Sequence, residues 1–151
     1  MKNLIKIVMV LVLLLAPMTM SAQSAAEVRQ TLTEYCEEKN QDTPIQDGDN
    51  DAYYVHFAFE DNQMNIVYGV GTELFAAMRD NKEALLQSCV EELSTNDELL
   101  GMVALLTICD GTLAFIVCDY NGEVTDPDNQ LILAFEEDDL KAIIANLANK
   151  E

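Results

Sequence analysis

The sequence predicts an α+β fold in which an antiparallel sheet, built from two strand hairpins, packs against helices. Residues 52–70 and 112–135 each combine alternating apolar and polar positions with a turn signal, which predicts a hairpin. Helical apolar periodicity before, between and after them predicts the covering helices. The expected order of elements is α-β-β-α-α-β-β-α. No complete glycine-rich turn leads from a strand into a helix, so parallel βαβ winding is not expected.

The N-terminus, residues 1–22, has the three parts of a secretory signal peptide. Lys2 and Lys6 precede an uncharged apolar run, and small residues suited to a signal peptidase follow it. Cleavage is expected after Ala22 or Gln23, and the pattern leaves open which bond is cut. The apolar run is shorter than the roughly 20 residues of a membrane span, so stable membrane insertion after cleavage is not expected.

The remainder, residues 23–151, is predicted to form a single acidic α+β domain, because its length is typical of one domain. The chain has 27 acidic and eight basic residues and a formal net charge of −19. Loss of Lys2 and Lys6 with the signal peptide makes the charge more negative still. Such a field repels phosphate backbones, which excludes nucleic acid as an expected partner. We expect an exported protein, either periplasmic or secreted.

The first helix is predicted over residues 24–39. Ser24 and Glu27 have the spacing of a capping box, in which each side chain satisfies a free amide of the first turn. Residues 40–51 are polar and contain proline and glycine, so they are predicted to form a loop.

The first hairpin is predicted over residues 52–70, with its turn at Asp61 and Asn62. Strict alternation divides the first strand into two faces. One face is predicted to hold Tyr53, Val55, Phe57 and Phe59, and the other Tyr54, His56, Ala58 and Glu60. The second strand continues the alternation through Met64, Ile66, Tyr68 and Val70.

Capping signals predict where the middle helices begin. These signals are Thr72 as the cap of a helix that begins at Glu73, and two pairs with capping-box spacing, Asp80 with Glu83 and Thr95 with Glu98. Residues 99–109 are predicted to be helical, with Gly111 in the left-handed conformation after the helix. The alternative is a strand that ends in an Asp110-Gly111 hairpin turn.

The second hairpin is predicted to pair a strand at 112–119 with a strand at 130–135. Asn121-Gly122 indicates a turn between them. Residues 136–139 are four consecutive acids, which suit the positive N-terminal end of a final helix.

This layout resembles that of small exported bacterial proteins and lipoproteins in families of unknown function. In those proteins a hairpin precedes a helix pair, and an aromatic strand with an Asn-Gly turn then leads through another strand into an acidic-start helix. The matching segments here are Tyr53–Tyr68, Asn81–Gly111, Phe115–Gly122 and Leu131–Ile144. The resemblance covers most of residues 23–151 and implies export and an α+β fold, but no activity.

Four cysteines fall among apolar neighbours: Cys36, Cys89, Cys109 and Cys118. They allow three complete pairings, and an oxidising compartment would favour disulfides. Buried free cysteines, which behave as small apolar residues, are the open alternative. Cys109 and Cys118 could both face one core. No CxxC spacing occurs, which argues against a redox centre or a zinc knuckle.

Asp47, Asp49 and Asp51 alternate like the start of a calcium loop. A full loop of that type needs glycine at its sixth position and a carboxylate at its twelfth, where this chain has Ala52 and Ala58. A solvated acidic loop is therefore the preferred interpretation, with a calcium-binding module kept as an alternative.

His56 is the only histidine, and no local motif gives it a catalytic partner. The preferred hypothesis is therefore a non-enzymatic module that binds an unknown protein or small ligand. The alternative is a small hydrolase or thiol enzyme that uses His56. No catalytic, cofactor-binding or metal-binding residue is assigned, and no cofactor is expected.

Overall fold

The computed structural model describes residues 24–48, 51–122 and 126–148, so the predicted signal peptide lies outside the described residues. The helices are α1 (Ala25–Asp42), α2 (Thr72–Asp80), α3 (Lys82–Thr95), α4 (Asp97–Ile108) and α5 (Glu137–Ala148). The strands are β1 (Ile45–Gln46), β2 (Ala52–Glu60), β3 (Gln63–Val70), β4 (Thr112–Asp119) and β5 (Gln130–Phe135). The α+β class is confirmed.

The described strands form one sheet in the order β1-β2-β3-β4-β5. Three neighbouring pairs are antiparallel, but β3 and β4 run parallel, with Met64 beside Leu113 and Tyr68 beside Val117. The expectation of a purely antiparallel sheet was therefore wrong. Helices α2, α3 and α4 form a crossover that returns the chain to the starting end of β3, and such a connection is what parallel strands require.

The core lies between one face of the sheet and the helices. Every described helix contributes to it; fully buried examples are Val28 of α1, Leu93 of α3, Leu106 of α4 and Leu140 of α5. The opposite face of the sheet is partly open, and Ile132 there is 50% exposed. The helices therefore cover one face of the sheet and leave the other partly exposed to solvent.

The capping box at Ser24 and Glu27 is confirmed, with both reciprocal hydrogen bonds in place. The other predicted starts were off by one residue. The N-cap positions are Gly71, Asn81 and Asn96, where Thr72, Asp80 and Thr95 were predicted. At the last of these, the Asn96 side chain accepts from two amides, and asparagine is a stronger cap than threonine.

Residues 99–109 are helical up to Ile108, which confirms the preferred interpretation. The residue in the left-handed conformation is Asp110, with φ of 53°, and not Gly111 as predicted. Gly111 is instead needed for close approach, because an added Cβ would lie 2.9 Å from Leu106 Cδ2 and 3.0 Å from the Asn62 carbonyl oxygen. The helix end thus packs directly on the turn of the first hairpin.

The predicted loop at 40–51 is partly regular structure, because α1 extends to Asp42 and β1 follows it. Beyond this two-residue strand, no other strand among the described residues pairs with the outer edge of β2. The Asn40 side chain takes that place, donating to the Phe57 carbonyl at 2.7 Å and accepting from the Phe57 amide at 2.8 Å. One amide side chain therefore satisfies backbone groups that a longer strand would otherwise pair.

All four cysteines are free thiols. Cys109 belongs to the core between the sheet and the helices, whereas Cys118 is buried but lies outside that core. The sequence suggested that these two cysteines could face the same core, and they do not. Val117 points toward the helices, so its neighbour Cys118 points to the opposite face of the sheet. Within the described residues, the helices are too short or too polar to cross a membrane.

Candidate functional site

A cavity of about 260 Å³ opens between helix α3 and the helix-covered face of the sheet. Its floor is apolar and is formed by Phe115 and Val117 of β4 and Leu133 of β5. Its roof is the inner side of α3, which contributes Leu85, Ser88, Cys89 and Glu92. An apolar hollow with a few convergent polar groups is the usual form of a small-molecule site.

The cavity exists because α3 rests mainly on α4 and α5, and not on the strands. Leu93, near its C-terminal end, is the only described α3 residue that is fully buried. Leu85 and Cys89 are half-buried, because they pack against the edge of the core and also line the hollow. Helix α3 therefore roofs an open space that its neighbours border but do not fill.

A β-bulge in β2 brings Tyr54 into this cavity. Tyr54 pairs with Tyr68 on β3, but His56 pairs with Val67, so Val55 is the extra residue. Before the bulge Ala52 and Tyr54 face the helices, and after it Phe57 and Phe59 do. The predicted faces were correct for Phe57 and Phe59 but wrong for Tyr53 and Tyr54, because the bulge reverses the alternation.

Asp47 is positioned by β1. Ile45 of this strand pairs with Tyr54 and packs against the core, and Asp47 lies two residues further on the same side. The Asp47 amide is fixed by a 2.9 Å hydrogen bond to the Ala52 carbonyl. Its carboxylate Oδ2 accepts a short hydrogen bond from the hydroxyl of Tyr68. The cavity thus has a half-buried carboxylate at one side.

Aromatic rings extend from the cavity along the sheet. The rings of Tyr54 and Tyr68 meet edge to face with centroids 5.1 Å apart. Tyr54 also stacks on Phe57 at 5.8 Å, and Phe57 contacts Tyr35 of α1 at 6.0 Å. Two tyrosine rings therefore line the cavity beside Asp47, and their positions are held from behind by further aromatic contacts.

The polar groups of the cavity divide into neutral and charged ones. Burial, with help from the Asp47 carboxylate, raises the pKa of Tyr54 to about 12. Burial also raises the pKa of Cys89 to about 11, and Glu92 adds to the shift. The tyrosine hydroxyl and the thiol are thus neutral at physiological pH. The carboxylates of Asp47 and Glu92 supply the charge, and none of the described residues that line the cavity is basic.

Asp47, Asp49 and Asp51, for which calcium binding was the alternative interpretation, are placed as follows. Asp47 lines the cavity and binds the Tyr68 hydroxyl, whereas Asp51 is exposed and hydrogen-bonds the hydroxyl of Tyr120. Asp49 lies outside the described residues. Within the part of the chain that the structure describes, no three His, Cys, Asp or Glu residues are grouped so as to hold a metal ion.

His56 is exposed on β2, immediately after the bulge, and does not line the cavity. Of the four cysteines, Cys89 alone lines it, while Cys36 and Cys109 are buried in the core. The structure therefore separates the histidine from the cavity and does not bring it together with the half-buried thiol.

Sequence reasoning missed the cavity, and it missed Tyr54 and Tyr68 as lining residues. One signal was present: two consecutive tyrosines, Tyr53 and Tyr54, precede Phe57, so either one could complete an aromatic face. The bulge places Tyr54, and not Tyr53, on the same face as Phe57. The alternating sequence pattern does not predict this bulge.

Comparison with known proteins shows a likeness of fold. A crystal structure of a Pseudomonas aeruginosa protein, provisionally described as secreted, superposes with a TM-score of 0.59. The two chains are 14% identical, and the match covers 80% of this chain and 99% of that one. No family model and no curated protein matches the chain. At this identity the likeness concerns the fold alone.

Proposed function

We propose that this chain is an exported, non-enzymatic binding module that holds a small, largely apolar ligand in the cavity beneath α3. The observation that carries the proposal is the cavity itself, where an apolar floor meets two tyrosine rings and a half-buried carboxylate. Small-molecule sites combine these features, because apolar burial supplies affinity and a few polar groups fix orientation.

The size of the cavity limits the ligand. A cavity of about 150 Å³ accommodates one benzene molecule. A cavity of about 260 Å³ therefore suits one aromatic ring with a short side chain. The floor residues Phe115, Val117 and Leu133 offer only apolar surface to such a ring, so its burial there is favourable.

Export rests on the N-terminal sequence. A charged leader, an apolar run and small residues favour cleavage after Ala22 or Gln23. The test is intact-mass analysis of the protein recovered from a periplasmic or culture fraction. An intact mass that corresponds to a chain beginning at residue 23 or 24 supports export. A full-length protein confined to the cytosol contradicts it.

Ligand binding is tested with a neutral probe of suitable size, 2-phenylethanol, followed by NMR titration. The Leu85→Trp variant places an indole in the cavity, and Val90→Trp is its matched control. Val90 lies on the same helix but is 40% exposed and does not line the cavity. Circular dichroism checks that both variants are folded. If Leu85→Trp does not fold, Ser88→Trp at the rim of the cavity replaces it.

We expect wild type and Val90→Trp to bind the probe and Leu85→Trp to lose it, because the indole occupies the space that the probe needs. Equal binding by both tryptophan variants would show that the probe binds elsewhere. Absence of binding to wild type at millimolar concentrations of this probe and its charged analogues would contradict the proposed function.

A further inference from the structure

We infer that the ligand of this cavity carries a positively charged nitrogen, which makes it a small apolar amine. This inference rests on the proposed function and specifies the chemical class that the site accepts. It depends on three features of the residues that line the cavity: their charge, the two tyrosine rings, and the half-buried position of the Asp47 carboxylate.

Charge gives the first argument. Asp47 and Glu92 are the charged residues among the described lining, and both are acidic. The chain as a whole carries a formal net charge of −19, so its field repels anions and attracts cations. A ligand with a carboxylate or phosphate would meet unfavourable potential in the cavity, whereas an ammonium group would meet favourable potential.

The tyrosines give the second argument. The rings of Tyr54 and Tyr68 lie 5.1 Å apart between centroids and both border the cavity. Aromatic faces attract cations through their quadrupole, and tyrosine rings are used in this way to recognise ammonium groups. A nitrogen bound near Asp47 would lie beside both aromatic rings and a carboxylate together.

The third argument is the position of the Asp47 carboxylate. It is half-buried, and the Tyr68 hydroxyl donates to only one of its oxygens, Oδ2. A carboxylate offers about four acceptor positions, so Asp47 keeps the capacity to accept from an ammonium N–H. Tyr68 also holds the carboxylate in orientation, so less side-chain entropy is lost on binding.

Three probes that differ mainly in charge test the inference by isothermal titration calorimetry at pH 7. They are 2-phenylethylamine, 2-phenylethanol and 3-phenylpropanoate, which present a cation, a neutral hydroxyl and an anion on similar skeletons. We expect the amine to bind about tenfold more tightly than the alcohol, and the anion to bind most weakly. The preference for the amine should fall as salt is added.

Equal affinity for amine and alcohol would overturn the inference and leave the proposed function standing. Tightest binding of the anion would also overturn it. If none of the three probes binds, the proposed function fails together with the inference. These outcomes separate the existence of a site from its preference for charge.

A matched pair of variants locates the source of the preference. Asp47→Asn removes the charge but retains an oxygen that can accept from Tyr68. Glu60→Gln makes the same change in net charge at the far end of β2, on an exposed residue. We expect Asp47→Asn to weaken amine binding about tenfold and alcohol binding much less, because a hydroxyl can still donate to the amide oxygen whereas the ammonium loses its counter-charge.

Glu60→Gln should leave both affinities at the wild-type value. Equal losses in the two variants would assign the preference to the overall field of the protein and overturn the role of Asp47. If Asp47→Asn weakens amine and alcohol alike, the change has disturbed the cavity and not its charge recognition, which also counts against the inference.

Discussion

Helices α3 and α4 are consecutive in the chain and similar in length, but they have different roles. Seven residues of α4 are buried, from Leu99 to Leu106, whereas Leu93 alone is buried among the described residues of α3. The α4 N-terminus is capped by the Asn96 side chain, and that of α3 has no side-chain cap hydrogen bond. One helix stabilises the fold, and the other borders the cavity.

The difference shows how a small domain can keep a cavity beside its core. Complete burial of both helices would have given more apolar stabilisation but left no space beneath α3. The inner surface of α3 is apolar at Leu85 and Cys89, and it faces the hollow. A ligand in that space would supply the contacts that the protein itself does not make there.

The largest expected contrast is in the stability lost when a leucine of each helix is shortened to alanine. Leu106→Ala in α4 removes a side chain that is fully buried, and it should lower the free energy of unfolding by about 3 kcal/mol. Leu85→Ala in α3 removes a half-buried side chain beside existing empty space, and it should cost about 1 kcal/mol. Urea denaturation of both variants measures the difference. Equal losses would contradict the division of roles between the two helices.

The next contrast concerns the helix caps. Asn96→Ala should cost about 1 kcal/mol, because two amides of the first turn, at Glu98 and Leu99, lose their acceptor. Asn81→Ala at the start of α3 should cost less, about 0.5 kcal/mol, since it removes no cap bond to the first turn of α3 and only the exposed bond that the Asn81 side chain donates to the Ala77 carbonyl of α2. Thermal unfolding of the pair checks this. A larger effect at Asn81 would show that α3 is more firmly anchored than its contacts indicate.

The third contrast is a pH dependence beneath α3, which appears only in alkaline solution. The folded protein raises the pKa of Tyr54 from 10.0 to about 12, so the folded state retains a proton that the unfolded chain loses. Stability from this group is therefore present below pH 10 and is lost as the pH rises toward 12. Tyr54→Phe should show a shallower alkaline loss in urea titrations between those values. An identical slope would mean that Tyr54 is better solvated than its place in the cavity implies.

Much of the fold could be predicted from local sequence. The strands at 112–119 and 130–135, the helix over 99–109 and the capping box at Ser24 depend on near neighbours, and each is found in the structure. Such features follow from turn chemistry, period and caps.

Features that depend on distant parts of the chain were not predicted. The parallel pairing of β3 with β4 is set by how three helices return the chain, and the two residues of β1 form a strand by pairing with the edge of β2. The cavity is of this kind too. It requires the bulge at Val55, which moves Tyr54 to the inner face, and a helix that rests on other helices.

Intermolecular nuclear Overhauser effects from bound 2-phenylethylamine test most directly whether the cavity beneath α3 is the ligand site. We expect contacts from the ring protons of the amine to the methyl groups of Leu85 and Val117, and from its side-chain protons to the ring of Tyr68. Contacts confined to the open face of the sheet, for example to the methyl groups of Ile132, would contradict it.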